Sequence, residues 1–187
     1  MKAIILGLVL IAAYLSPSWA APSDLRGAWV NENSGVTTQR IYSGNFFSVA
    51  LYSTSEFIGT YGGSYKISEG EVMELIEFDT QKPGRVGSQL KTKFLKSKQD
   101  DELELTFGNE RTRFKRIDEG TPGRLEGAWL ITGRYSGGEM KKNTPGARRT
   151  MKILSGTRFQ WIAYNVDTKQ FFGTGGGKYT TENGRYV

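Results

Sequence analysis

From residue 27 onward the chain alternates apolar and polar positions in short runs, each broken by turn-forming residues within a dozen positions. The period of two, together with the enrichment in β-branched and aromatic residues, predicts strands at 27–32, 36–42, 45–53, 56–67, 71–79, 86–96, 102–107 and 110–117. The segments between them read "NENSG", "SGN", "STS", "SEG", "QKPG", "KQDD" and "GN", and Pro83 and Pro122 fall in turns. No segment of this part carries a helical period. Eight short strands with short sequential connections predict an all-β fold, an eight-stranded antiparallel up-and-down barrel or a strongly curled sheet.

The hairpin "ELELTFGNERTRFKR" fixes a register. Gly108-Asn109 is a two-residue loop of the kind that adopts a primed turn. Phe107 then opposes Glu110, Leu105 meets Thr112, Leu103 meets Phe114, and Asp101 meets Arg116 on the apolar, inward face. On the other face Thr106 meets Arg111, Glu104 meets Arg113, and Glu102 meets Lys115. The basic run "RTRFKR" therefore reads as a solvated face with carboxylates opposite two of its cations. A nucleic-acid surface would interleave aromatics with uncompensated cations. The run "KKNTPGARR" at 141–149 shows no such partners in the sequence and stays open as a contact for an acidic surface.

Comparing the chain with itself shows a repeat. "LRGAW" at 25–29 returns as "LEGAW" at 125–129, and "IYSGNFFSVALY" at 41–52 returns as "ILSGTRFQWIAY" at 153–164. "FIGTYGGSY" at 57–65 returns as "FFGTGGGKY" at 171–179. Between 41–65 and 153–179 eleven positions are identical, in the same order and, apart from two inserted residues, at the same spacing. The reading is a domain at 21–117, a linker at 118–124 ("DEGTPGR") and a partial second copy at 125–187. Tyr179 aligns with Tyr65 and Val187 with Met73, so counterparts of Glu74 to Ile117 are absent from the second copy. Four strands and a stub leave unpaired edges. The expectation is that the chain is a fragment of a longer protein, or else that a partner chain supplies the missing strands.

"FFGTGGGKY" does not fit a phosphate-binding loop. Gly173 lies too close to the Gly-Lys pair, Tyr179 follows the lysine, and the flanks read as strand rather than strand-then-helix. The sibling stretch has Ser64 where this one has Lys178. What both share is glycine inside a strand, the mark of a bulge, a bend or a close backbone approach.

Composition narrows the chemistry. The 187 residues include no cysteine and no histidine, which removes disulfides, ordinary zinc, haem or thiolate sites, and a histidine base for a serine nucleophile. No cofactor is expected. The first twenty residues, "MKAIILGLVLIAAYLSPSWA", have the form of a signal peptide cleaved after Ala20. Lys2 is the basic start, 3–15 the apolar stretch, and Ser18 and Ala20 the small residues at −3 and −1. The expected location is secreted or periplasmic, with no transmembrane span after cleavage. The formal charge of +6 becomes +5 without Lys2, a mild preference for acidic partners.

Gly27-Ala28-Trp29 and Gly127-Ala128-Trp129 resemble the Gly-x-Trp signature that opens the first strand of lipocalins and related calycins. Together with eight strands and a terminal arginine, they make the chain similar to the lipocalin-like domains of uncharacterised secreted bacterial proteins. The resemblance implies that Trp29 plugs the closed end of the barrel with Arg116 across its ring, a cation–π contact. Gly27, Trp29, Arg116, Gly127 and Trp129 are its signature residues.

The function expected from this is a non-catalytic binding protein for an unidentified small apolar ligand. The candidate pocket is lined by Phe47, Val49, Leu51, Tyr61, Leu90, Phe94, Leu103 and Phe114, with Phe159 and Trp161 in the second copy. A barrel filled solid by those same side chains is the alternative for the interior. The alternative for the function is an envelope interaction module that binds a protein or a glycan through its surface and loops. Glu74 and Glu77 fall on opposite faces of one strand, which speaks against a paired-carboxylate enzyme, and no nucleic acid is expected as a partner.

Overall fold

The computed structural model describes residues 25–97, 101–121, 123–144 and 146–187. The expected signal peptide, the central residues of the "KQDD" turn, Pro122 and Pro145 lie outside the described residues. Eight strands form a closed antiparallel barrel in sequence order: β1 (Gly27–Asn33), β2 (Val36–Ser43), β3 (Phe46–Tyr52), β4 (Phe57–Ser68), β5 (Glu71–Asp79), β6 (Gln89–Ser97), β7 (Glu102–Phe107) and β8 (Glu110–Asp118). β8 returns to pair with β1, setting Trp29 beside Arg116. The β7–β8 register is the one read from the sequence, Leu103 opposite Phe114 and Glu104 opposite Arg113. Gly108 takes a φ of 62°, as the first position of the primed turn requires.

The sixth strand starts later than the pattern predicts. Pro83–Arg85 forms a single 3₁₀ turn, and residues 86–88 fold back on β5 through Gly87 N–H donating to the Ile76 carbonyl and Ile76 N–H to Ser88. The apolar Val86, which extends the alternating run in the sequence, is buried at this corner rather than in a strand.

The barrel bends at the glycines of β4. The β4–β5 pairing slips between Gly62 and Gly63, a β-bulge. A Cβ at Gly62 would lie 2.4 Å from the Phe47 carbonyl oxygen and 2.7 Å from the Phe78 ring. Close backbone approach, rather than a phosphate cradle, accounts for glycine here.

Eight further strands follow: β9 (Gly127–Leu130), β10 (Gly133–Ser136), β11 (Glu139–Lys142), β12 (Arg148–Leu154), β13 (Arg158–Asn165), β14 (Phe171–Lys178), β15 (Thr181–Glu182) and β16 (Arg185–Tyr186). They make an open sheet of order β14-β13-β12-β9 and two small hairpins, β10–β11 and β15–β16. In this sheet Trp129 pairs with Lys152 and Ala128 with Ile153; in the barrel Trp29 pairs with Arg40 and Ala28 with Ile41. The β13–β14 pairing slips at Ala163/Tyr164 as β3–β4 slips at Leu51/Tyr52.

The open sheet packs on the outside of the barrel. Alternation turns Trp29 and Arg40 inward, so Ala28 and Ile41 face out, and the bulge at Gly62/Gly63, where Glu77 is the extra residue on β5, turns Phe78 out as well. There they meet Met151, Ile153, Ile162 and Tyr164 in one buried cluster. Polar contacts fix the orientation. Glu77 receives hydrogen bonds from Arg149 (2.8 Å) and the Tyr164 hydroxyl (2.6 Å), and the Gln160 amide donates to the Thr60 hydroxyl at 2.9 Å.

The residues that flank the expected linker 118–124 are held on both sides. Buried Asp118 accepts from Ser155 and Thr157 hydroxyls and from the Gly120, Gly156 and Thr157 amides, at 2.7–3.0 Å. The Glu126 carboxylate accepts from Ser43 at 2.7 Å. No helix among the described residues is long and apolar enough to cross a membrane.

Candidate functional site

Phe47, Val49, Phe94, Leu103 and Phe114 are buried in the barrel core, with Leu51, Tyr61 and Leu90 packed against them. The middle of that core holds a charge. The Arg40 guanidinium is fully buried and lies 5.5–5.9 Å from the ring centres of Tyr42, Phe47, Tyr61, Phe107 and Phe114. It donates to Glu74 at 2.5 Å and to the Tyr42 and Tyr61 hydroxyls at 3.0 Å, and Tyr42 donates to Glu74 at 2.8 Å. Burial works against the cation, yet Glu74 beside it holds the Arg40 pKa well above its ordinary value. Burial likewise pushes the Tyr42 hydroxyl well up, so it stays a donor. The barrel interior is thus occupied by its own side chains around an ion pair.

Trp29 is fully buried under the Arg116 guanidinium, 4.2 Å from its ring centre. Its indole N–H donates to the Leu25 carbonyl at 2.8 Å, and Arg116 pairs with Asp101 at 3.2 Å. Trp129 repeats the first contact with Leu125 at 3.0 Å, but it is 56% exposed and has no arginine over it among the described residues. Glu74 lies inside the barrel and Glu77 outside, each bound to an arginine.

The cavity lies elsewhere. A cleft of about 620 Å³ opens between the outer face of β1–β3 and the β13–β14 side of the open sheet. Its barrel wall is mixed: Val30, Ala50, Tyr52, Phe57 and Ile117 are apolar, and Glu32, Thr37 and Gln39 are polar. The facing wall is Gln160, Thr174, the backbone of Gly175–Gly177, and the cations Arg158 and Lys178. Buried Gln160 is held in place by Thr60 and by Thr174, 3.0 Å away, while each threonine donates to the backbone of the neighbouring strand at 2.6 Å. A cavity of this size, with a group of apolar side chains on one wall and a few fixed polar groups on the other, suits a small organic molecule.

Of the ten side chains expected to line a pocket, eight form the barrel core and only Phe159 borders the cleft. Trp161 lies on the far face of the open sheet, 40% exposed, its indole across Gly173 and Gly175. Across β9, β12, β13 and β14 the row on that face reads Trp129, Lys152, Trp161, Gly175. The Lys152 ammonium sits 4.6 Å from the Phe159 ring centre and 4.1 Å from that of Tyr186. The run 141–149 is not free of partners as the sequence suggested: Arg149 binds Glu77, and Arg148 lies 4.5 Å from the Phe172 ring centre. Both partners come from strands too distant in sequence for the local pattern to show.

The outward apolar residues of β1–β3 were the missed signal. In a strand whose inward positions are already apolar, Val30 beside Trp29 and Phe46 beside Phe47 mark an outer face that is covered. The sequence matches no protein-family model and no curated protein. Among solved structures, the chain is similar to the crystal structure of the uncharacterized protein YLR301w from Saccharomyces cerevisiae, with 11% identity and a TM-score of 0.48, over 86% of this chain and 83% of that one.

Proposed function

We propose that this is a non-catalytic binding protein of lipocalin-like build, exported to the secreted or periplasmic space, which takes a small apolar ligand in the cleft outside its barrel. The observation that carries the reading is the contrast between the two spaces: the lumen is packed around Arg40 and Glu74, while the cleft between the sheets is about 620 Å³ and offers the apolar side chains Val30, Ala50, Tyr52, Phe57 and Ile117. The N-terminal twenty residues support export. The matching registers of β1–β4 and β9, β12, β13 and β14 support reading 125–187 as a partial second copy of the first unit. In this arrangement the second unit acts as a wall.

Native mass spectrometry of the purified protein, with solvent extraction of whatever it carries, tests the reading. The expected result is a bound apolar molecule that is lost in Ala50→Trp, which fills the cleft from the barrel side and leaves the core untouched. A carried molecule retained by that variant, or no carried molecule and no uptake of apolar probes, overturns it.

The exposed row Trp129–Lys152–Trp161 favours a second reading, an envelope interaction module. Exposed tryptophans flanking a cation are typical anchors for a protein or glycan surface. Sedimentation with purified envelope glycan should be lost in Trp129→Ala and kept in Ala50→Trp if this face is the contact.

A further inference from the structure

Arg158 and Lys178 are direct cross-strand partners, the pair where β13 meets the end of β14, and both line the cleft. Like charges placed opposite each other on one face destabilise a strand pair. Other cations of the barrel and its seam have carboxylates, Arg113 and Arg111 sharing Glu104, Arg85 with Asp79 and Arg149 with Glu77, while a second like-charge pair, Arg134 opposite Lys141, stands out in solvent on the β10–β11 hairpin. Neither Arg158 nor Lys178 makes an ion pair among the described residues. One guanidinium nitrogen of Arg158 donates to the Thr157 hydroxyl at 2.9 Å and to the Thr157 carbonyl at 3.3 Å; that hydroxyl donates on to Asp118 at 2.7 Å, a relay that anchors the side chain short of an ion pair. Beside the two cations the wall is the backbone of Gly175–Gly177 with Phe159 and Gln160.

A cation pair without an ion-pair partner at one wall, and at the other an apolar group of Val30, Ala50, Tyr52 and Phe57 set among Glu32, Thr37 and Gln39, define a ligand with two ends. Resting on the reading of the cleft as the ligand site, we infer that the ligand is a monoanionic amphiphile, an apolar molecule with one carboxylate or similar head held between Arg158 and Lys178 and its apolar part against Val30, Ala50, Tyr52 and Phe57. A planar guanidinium and a carboxylate match in geometry, and the ammonium adds a second charge-assisted bond. Glu32 on the barrel wall leaves the cleft with a net charge of +1, which favours one anionic group over two.

Decanoate and decanol share a tail and differ in the head, and calorimetric titration of both separates the two levels of the claim. The wild type is expected to bind decanoate at least about tenfold more tightly than decanol, the weight of one charge-assisted hydrogen bond. Arg158→Gln/Lys178→Gln is expected to lose that preference, to keep its decanol affinity, and to melt no lower than the wild type, because a repulsion has been removed. Equal affinity for the two probes, or an undiminished preference in the double variant, overturns the anion assignment and leaves the cleft reading standing. Inorganic phosphate competing as well as decanoate overturns the amphiphile. Binding of neither probe, or decanoate binding unchanged in Ala50→Trp, overturns the cleft reading and the assignment with it.

Discussion

Glu74→Gln tests the statement that the barrel is filled around a sealed ion pair. Arg40 and Glu74 are 1% and 0% exposed, and no other carboxylate among the described residues pairs with the guanidinium. The amide is close in shape to the carboxylate and can still accept from Arg40 and Tyr42, so packing is preserved and only the charge is lost. Arg40 would remain protonated, because nothing in reach of solution pH removes its proton, and the barrel would then hold an uncompensated cation. Breaking a buried pair from one side costs about 3–5 kcal/mol. Glu74 Oε2 has no hydrogen-bond partner among the described residues, so the replacing NH₂ group has no acceptor waiting there and adds to the cost. With a urea dependence of about 2 kcal/mol per molar, the unfolding midpoint should fall by about 1.5–2.5 M. Urea unfolding followed by tryptophan fluorescence and far-UV circular dichroism measures it. The companion variant Arg40→Met/Glu74→Leu removes both charges and should recover most of the loss, since apolar replacement of a buried pair is often neutral or stabilising. A Glu74→Gln midpoint within about 0.3 M of wild type, below about 1 kcal/mol by the same slope, would show that water reaches the pair and that the interior is not sealed. A double variant as unstable as the single one would show that the pair organises the lumen.

Three more outcomes follow from the same structure. Asp118→Asn should lower stability by about 1.5–3 kcal/mol, the weight of hydrogen bonds to a charged group, measured by urea unfolding. Burial alone would raise the Asp118 pKa, but the bonds from Thr157, Gly120, Gly156 and Ser155 outweigh it and hold the carboxyl below its usual range. Its contribution is therefore fully present above the unfolded carboxylate pKa and disappears as pH falls through the lower folded value. The stability gap between wild type and Asp118→Asn should close in acid. Gly62→Ala should cost about 1–3 kcal/mol or more through collision with the Phe47 carbonyl, whereas Gly84→Ala, with open space around it, should stay within about 0.5 kcal/mol of wild type in thermal melts. Arg116→Met should cost about 0.5–2 kcal/mol through loss of the cation–π contact and should change the emission of Trp29.

Local rules carried the barrel a long way. A two-residue turn at Gly108-Asn109 leaves one register open to β7–β8, and the structure has it. The inward position of Arg116 that follows from this register puts the guanidinium over Trp29. The charged centre was less legible, although its signal was present. Arg40 is in phase with Tyr42, and Glu74 with Val72 and Ile76, so each is a charged residue on an inward face. Their partnership spans β2 and β5 across the lumen, which strand alternation does not show. The cleft was illegible for a different reason. It exists only because the open sheet docks at one angle on the barrel, and that angle is set by contacts such as Glu77 with Arg149 and Gln160 with Thr60, 72 and 100 residues apart in sequence.

The docking of the second sheet on the barrel's outside has a consequence for assembly. All eight strands of the barrel lie upstream of residue 119, and the strand pairing that closes it, β8 on β1, is made by those residues alone. During synthesis the first module can finish before the second emerges and then offer Ala28, Ile41 and Phe78 as a prepared bed for it. The later strands have a template and the earlier ones do not, so damage should spread in one direction only: a weakened barrel takes the sheet down with it, while a weakened sheet leaves a closed barrel behind.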